Sequence, residues 1–370
     1  AQHYFTTIKM IKISTINEAI SNNDVQVLDS SIYNGHEKIL FCKDTSTNLK
    51  AIIAVHSTKL GPGLGGCRMW DYKNQNEALN DVLRLSRGMT YKASITGLNL
   101  GGGKAVIIGD SKKDKTKELM ESFGEFVESL GGKYITAEDV GMSPSDMKDI
   151  RKKTSHVVGT PKEMGGSGDP SIVTAYGVYM GIKGSAKFRW GNDNLQNKKV
   201  FVQGVGKVGG FLIDYLKKDG CEIIINDIDI EKMSEIASNK NVNIVSENEM
   251  FNKSYDIYAP CALGATLNDE NIEALKCEII AGGANNQLEK EGFHDVLLKK
   301  KNILYAPDFL INAGGLINVY SELKKWDKEK TLRMTENIYD TTISILKRSE
   351  KEDISTHKAA LSIAKERLNK

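Results

Sequence analysis

Two lysines and one aspartate stand where their types could do chemistry. Lys104 follows three glycines and opens the apolar run KAVIIGD, with no acid beside it in the chain. A lysine in such a setting can give up its proton near neutral pH and serve in proton transfer; the plainer alternative is an exposed lysine at a strand edge. Lys92 lies seven residues after Leu85, on the apolar face of a helix expected over 76–97. A charge on that face is costly unless it meets an anion. The alternative is a lysine snorkelling near the helix C-terminus, where the dipole favours it. Asp139 follows the apolar run YITAE and precedes Gly141, at a strand end. An Asx-turn or a helix cap would also explain it, but Ser143 with Asp146 caps the next helix better. Two cations and a carboxylate around a cleft suit an amino or keto acid better than a phosphate ester.

A second constellation is Gly204, Gly206 and Gly209, a G-x-G-x-x-G directly after the apolar run Val200–Val202. Such glycines let the backbone meet a pyrophosphate, and the N–H groups of the following helix aim at its charge. Asp227 ends the next strand about 20 residues on, where an acid accepts hydrogen bonds from a ribose diol. The residues after it, 228–231, supply no arginine, so NAD is expected rather than NADP. A tight turn in an unrelated α/β domain is the competing explanation.

The elements that must position these residues follow from periodicity. Strands are expected at 36–43 and 49–57, and an amphipathic helix at 76–97 with Ala78, Val82, Leu85 and Met89 at helical spacing. A buried strand follows in KAVIIGD, then a helix over 114–130 and a strand in YITAEDVG. The glycine-rich Pro161–Pro170 has the composition of a hinge. A helix over Ile172–Lys187 leads into the strand, glycine turn, helix and strand of the dinucleotide motif. The pattern continues through YDIYAPC, CEIIAGGANN and NILYAPDF, which argues for a parallel α/β sheet. Leu332–Lys370 is helical by pattern and is expected to pack back on the first domain.

A chain of 370 residues exceeds a usual single core, so two domains are expected. Fifty basic against 48 acidic residues leave a net charge of +2, which offers no electrostatic reason for nucleic acid or a membrane surface as partner. The lysine runs at 112–117 and 299–301 read as solvated faces. Five cysteines without a CxxC or a Cys/His cluster fit a reduced compartment, and no metal is expected. No signal-peptide pattern and no apolar run of about 18 residues is present, so a soluble cytoplasmic protein is expected. The 34 glycines outnumber the 6 prolines and fall in clusters, which implies close backbone approach at several places.

The segments LGPGLGGCRMW, RLSRGMTYKASITGLNLGGGKAVIIGD, YITAEDVG, GDPSIVTAYGV, VQGVGKVG, APCALGATLN, AGGANNQL and INAGGLINV resemble those of the amino-acid dehydrogenases acting on glutamate, leucine, phenylalanine, valine and tryptophan. The resemblance spans residues 34–366 and is nearest to the leucine enzymes. It implies an N-terminal α/β substrate and oligomerisation domain with a mostly parallel sheet over 1–160, completed by helices at 330–370. A Rossmann NAD-binding domain over 171–329 would face it across a cleft that closes for hydride transfer.

The resemblance also implies roles. Lys92 binds the substrate carboxylate with Asn286, Lys104 is the catalytic lysine, and Asp139 shuttles the proton of the amine. Leu64, Gly65, Met89, Ala137, Val158, Leu316 and Val319 complete the substrate site. The cofactor is met by Thr174, Gly204, Gly206, Lys207, Val208, Gly209, Asp227, Ile228, Cys261, Ala262, Leu263, Ala284, Asn285 and Asn312. The reaction is reversible oxidative deamination of an amino acid to a 2-oxo acid and ammonium. Leu64 stands where glutamate enzymes carry a lysine, and Ala137 where the aromatic enzymes tend to carry glycine, so leucine, isoleucine and valine are the expected substrates. An aromatic amino-acid dehydrogenase is the first alternative and a non-catalytic NAD-binding regulator the second. A 2-hydroxy-acid dehydrogenase would usually rely on a His/Asp or His/Glu pair, and His156, His294 and His357 lack such supporting context and read as ordinary surface or packing histidines. The chain departs from the family in residues 1–25, which precede the usual start (the part before Met10 reads as non-native or processed), in the loop 160–168, and in an early C-terminus. A homo-oligomer is expected, with dimer or octamer open.

Overall fold

The computed structural model describes residues 33–161, 163, 165–262 and 264–370, with the backbone of 11–14. The stretch before Met10 and the cofactor candidate Leu263 lie outside the described residues. The chain forms two compact units, residues 1–168 and 169–370.

The first unit runs β1 (Ile11–Ser14), β2 (Lys38–Asp44), β3 (Leu49–Ser57), β4 (Gly63–Trp70), α1 (Gln75–Ile95), β5 (Gly101–Ile108), α2 (Lys117–Glu128), β6 (Tyr134–Glu138) and α3 (Pro144–Arg151). Its sheet has the order β1-β2-β3-β5-β4-β6. Neighbours from β1 to β5 are antiparallel, while β4 pairs parallel with both β5 and β6, so the sheet is mixed and not mostly parallel as the resemblance implies, β2 and β3 being joined by a short hairpin turn. Both faces are covered, so the strands are apolar on both. Ile52, Ala54 and Val106 pack with Leu79, Val82 and Leu83 of α1. The alternate residues Ile53, Cys67, Ala105 and Ile107 pack with Phe123, Phe126 and Val127 of α2.

Helix α1 starts where Asn74 Oδ1 accepts from the Glu77 amide at 2.9 Å and ends before Gly97, whose φ is +76°. Its buried face is Leu79, Val82, Leu83, Ser86, Thr90 and Ala93. The expected stripe through Leu85, Met89 and Lys92 drifts off that face. These three residues are half-buried on its flank, because alternating steps of four and three average 3.5 residues, short of the roughly 3.6 of a helical turn, and so rotate backward around the helix. Lys92 is therefore not a charge in the middle of a core face. Strand β4 had no sequence signal: GLGGCRMW is too poor in β-branched side chains to read as a strand. The expected cap of α3 is present as a full capping box between Ser143 and Asp146.

The second unit runs α4 (Ser171–Trp190), β7 (Lys199–Gln203), α5 (Lys207–Lys218), β8 (Glu222–Asn226), α6 (Ile230–Lys240), β9 (Asn243–Ile244), β10 (Ile257–Pro260), α7 (Asp269–Ala274), β11 (Ile279–Ile280), α8 (His294–Lys300), β12 (Leu304–Tyr305), α9 (Asp308–Ile311), α10 (Gly314–Lys324), α11 (Lys328–Glu352) and α12 (Thr356–Leu368). All six strands are parallel, in the order β9-β8-β7-β10-β11-β12. Counted from β7 this is the doubly wound order of dinucleotide-binding domains. The C-terminal helices, assigned on sequence to the first domain, group with this unit. Helix α11 packs along α4, and α12 packs on α11, α8 and β12. Among the described residues no helix is long and apolar enough to cross a membrane.

Candidate active site

In the first unit Lys104 and Asp139 come together. Lys104 is on β5, and Arg68 on β4 sits beside Val106, two residues further along β5. Side chains alternate along a strand, so Lys104 and Val106 share the face that α1 covers. Asp139 follows β6 directly. Lys104 Nζ lies 3.1 Å from Asp139 Oδ1, and Lys104 is only 5% exposed. On the other side Arg68 Nε donates to Asp139 Oδ2 at 2.9 Å. Burial pushes the Asp139 carboxyl up, but the Lys104 and Arg68 charges together outweigh it and hold it below the ordinary carboxylate value. Gly66 makes this placement possible, since a Cβ there would stand 2.8 Å from the Asp139 Cβ and 2.6 Å from Glu138 O.

Arg68 was not singled out on sequence, although a charge inside the run CRMW was a usable signal. Its Nη1 donates to Asp81 Oδ2 at 2.9 Å. Asp81, on α1, also accepts from Tyr72 Oη at 2.7 Å and from Arg84 Nη2 at 3.1 Å. Beside this network opens a cavity of about 520 Å³ lined by Arg68, Trp70, Tyr72, Asp81, Arg84 and Val140, among others.

The remaining substrate candidates are divided between the units. In the first, Leu64, Ala137 and Val158 are buried, and Ala137 pairs with Gly66. The Val158 amide donates to Thr136 O at 3.0 Å. Met89 lies over Gly65, where a Cβ would be 3.3 Å from its Cγ. Asn286, Leu316 and Val319 belong to the second unit. Asn286 is exposed with φ +51°, Leu316 is buried and Val319 half-buried.

The glycine motif of the second unit has the three local properties that bind a pyrophosphate. Gly204 turns the chain at φ +95°. A Cβ on Gly206, the N-cap of α5, meets nothing within 4 Å, whereas one on Gly209 would be 2.0 Å from Gly204 O. The loop thus leaves open space at the helix N-terminus and packs tightly behind it. Asp227 is tied to the loop: its Oδ2 accepts from the Val205 amide at 2.6 Å and its Oδ1 from the Asp229 amide at 2.9 Å. Each oxygen keeps a lone pair for a further donor. Ile228 beside it is 91% exposed.

Around this loop, Ala262 abuts Gly204 and Val208 abuts Gly283. The Gly283 amide donates to Cys261 Sγ at 3.5 Å. Asn312 Nδ2 donates to Asn285 Oδ1 at 2.8 Å and to Ala284 O at 3.4 Å. Asn312 Oδ1 is buried with no hydrogen-bond partner among the described residues, an acceptor that a bound amide would satisfy. Thr174 Oγ1 donates to Pro170 O at 3.0 Å. Lys207 pairs with Asp169 at 2.8 Å, a contact the sequence did not suggest. Burial pushes the Asp169 carboxyl up, but hydrogen bonds from Lys207 and Ser171 outweigh it and bring it to about 2. These residues fit a dinucleotide.

Residues 36–156 match the family described as Glu/Leu/Phe/Val dehydrogenase, dimerisation domain, and residues 223–370 match Glutamate/Leucine/Phenylalanine/Valine dehydrogenase. The chain is 48% identical over 333 residues to a leucine dehydrogenase of Bacillus cereus, covering 90% of this chain and 91% of that one. It is 47% identical over 340 residues to a phenylalanine dehydrogenase of Caldalkalibacillus thermarum, covering 90% and 92%. The crystal structure of L-tryptophan dehydrogenase from Nostoc punctiforme superposes with a TM-score of 0.83 at 44% identity, over 90% of this chain and 96% of that one.

Proposed function

From the premise that this chain belongs to the Glu/Leu/Phe/Val dehydrogenase family, as an NAD(P)-dependent amino-acid dehydrogenase of the leucine dehydrogenase-like group, we propose that it catalyses the reversible NAD-dependent oxidative deamination of leucine, isoleucine and valine. The observation that carries this reading is the pair formed by the buried Lys104 and the half-buried Asp139 at 3.1 Å.

In the deaminating direction the substrate ammonium gives a proton to Asp139, which the two neighbouring cations keep ionised. Lys92 would hold the substrate carboxylate. A bound NAD would supply the acceptor for the hydride that leaves the substrate α-carbon. Lys104 then assists water in adding to the resulting imino acid and stabilises the tetrahedral species that follows. Its collapse releases ammonium and the 2-oxo acid. Amino acid, NAD and water thus give 2-oxo acid, ammonium, NADH and a proton. The pyrophosphate would rest on Gly204–Gly209 with Lys207, the adenosine ribose on Asp227, and the nicotinamide near Thr174, Cys261 and Asn312. The Asp227 carboxylate repels a 2′-phosphate, which favours NAD.

Leu64 and Ala137 support an aliphatic side chain: one is a buried apolar residue in place of a lysine, the other a methyl group narrowing the site. Relatives of similar identity that act on phenylalanine and tryptophan favour a second reading, an aromatic substrate. The match to a dimerisation domain supports a homo-oligomer, whose size sedimentation would give. The deciding experiment follows NADH formation over a panel of amino acids, with NADP as control. Leucine, isoleucine and valine are expected to lead. Silence from every aliphatic amino acid would overturn the proposal, and phenylalanine or tryptophan well ahead of leucine would establish the second reading.

A further inference from the structure

We propose that Arg68 is a positioning residue for the reaction, gripping one oxygen of Asp139 so that the other faces Lys104, and that Asp81 and Tyr72 in turn fix Arg68. This rests on the reading of Lys104 and Asp139 as the reacting pair. The geometry is two-ended. One edge of the planar guanidinium meets Asp139 Oδ2 through Nε, and Nη1 meets Asp81 Oδ2, each at 2.9 Å. A rigid fork bound at both ends leaves the carboxylate little freedom to rotate. The far end is braced by the Tyr72 hydroxyl and Arg84, both on Asp81. The Arg68 and Asp139 side chains are 23% and 24% exposed, so water screens this contact only in part.

Two consequences separate this role from mere structural support. First, Asp139 without Arg68 keeps its charge partner Lys104 but loses its fixed orientation, which acts on turnover and not on substrate affinity. Misplacement of a reacting group by about 1 Å can cost on the order of a hundredfold. Second, Arg68 contributes to holding the Asp139 carboxyl low. The charged groups around Asp139 are Lys104 from β5 and Arg68 from β4, with Asp81 and Arg84 of α1 and Tyr72 behind Arg68, while the buried Cys67 thiol and Tyr134 phenol on the α2 side of the sheet are within electrostatic reach of it. Of these, Lys104 and Arg68 are the two cations in direct contact. Removing Arg68 must raise Asp139.

The test compares wild type with Arg68→Gln, Arg68→Lys and Asp81→Asn. For Arg68→Gln, kcat is expected to fall roughly tenfold to a hundredfold with little change in KM for the amino acid, and the acid limb of the kcat–pH profile should move to higher pH. Titration of the Asp139 carboxyl by carbon-13 NMR, which needs no activity, should move the same way. Arg68→Lys keeps the charge and loses the fork, so kcat falls while the acid limb stays near its wild-type position. Asp81→Asn gives a smaller loss of kcat. A wild-type kcat in Arg68→Gln, or an unmoved acid limb and carboxyl titration whatever its stability, overturns the proposal. Should Arg68→Gln not fold, a wild-type kcat in Arg68→Lys overturns it instead. A wild-type protein inactive on every amino acid tells against the reaction, while the NMR titration still reports on the grip.

Discussion

The Val205 amide donates to Asp227 Oδ2 at 2.6 Å, so the acid at the end of β8 braces the glycine loop that precedes α5. One carboxylate therefore shapes the loop and, in the proposed reading, would offer its remaining lone pairs to a ribose. Asp227→Asn separates these two tasks. The amide oxygen can still accept from Val205, while the negative charge and the acceptor for the Asp229 amide are gone. Losing a charge-assisted hydrogen bond costs about 1.5–3 kcal/mol, roughly tenfold or more in KM for NAD. KM for NADP should fall or hold, because the repulsion of a 2′-phosphate is removed. Steady-state kinetics with both cofactors decide it, and an unchanged ratio of the two KM values would refute the assignment of Asp227.

Replacement of Lys104 by alanine isolates the acid–base step. Asp139 then keeps Arg68 at 2.9 Å, so its half-buried charge is not orphaned and the fold should survive. Turnover should drop by about 10²–10⁴, the usual contribution of a positioned proton-transfer group. A thermal melt establishes the fold and a single-substrate assay the rate. Near-normal turnover in a folded variant would remove Lys104 from the mechanism.

The legible parts of this molecule were those where one residue type answers one physical demand. The dinucleotide loop was visible because turn, open approach and tight packing each call for glycine, in a fixed spacing between strand and helix. Lys104 and Asp139 were visible because charges at the ends of apolar strands need a reason. Arg68 was hidden by the same logic: its partners Asp139 and Asp81 are 71 and 13 residues away in sequence, and only the parallel pairing of β4 with β5 and β6 brings them to one face. That pairing was itself unreadable, since the glycines of β4 carry no side-chain pattern. The C-terminal helices were read correctly as helices but not by their grouping, because an amphipathic face does not say which neighbour covers it.

Specificity can be tested at Ala137, whose pairing with Gly66 puts its methyl two residues ahead of Asp139. Ala137→Gly should widen the site for a ring. A group of this size is worth about 1–3 kcal/mol of discrimination, so the ratio of phenylalanine to leucine in kcat/KM should rise roughly tenfold. Glycine within a strand also costs about 0.5–1 kcal/mol of stability, which a denaturant melt would register. An unchanged ratio would place Ala137 away from the substrate side chain.

Acid sensitivity of the fold should trace to the first unit. His56 Nδ1 lies 2.8 Å from Thr90 Oγ1, and its ring stands edge-on to His36 with centroids 4.8 Å apart. Burial, with His36 and Arg87 acting in the same direction, brings His56 down from 6.5 to about 4 against weaker opposing contributions from Asn34 and Glu37. Burial lowers His36 as well. Between these values the unfolded chain binds a proton that the folded chain refuses, so stability is full above about 6.5 and is lost as pH falls toward about 4. Asp139, also held low, adds to the loss at more acid pH by the same linkage. Urea melts across this range should show the midpoint falling with pH, and His56→Gln, which keeps a hydrogen-bonding partner for Thr90, should flatten that slope. A variant whose slope matches wild type would show that the histidine pair does not govern it.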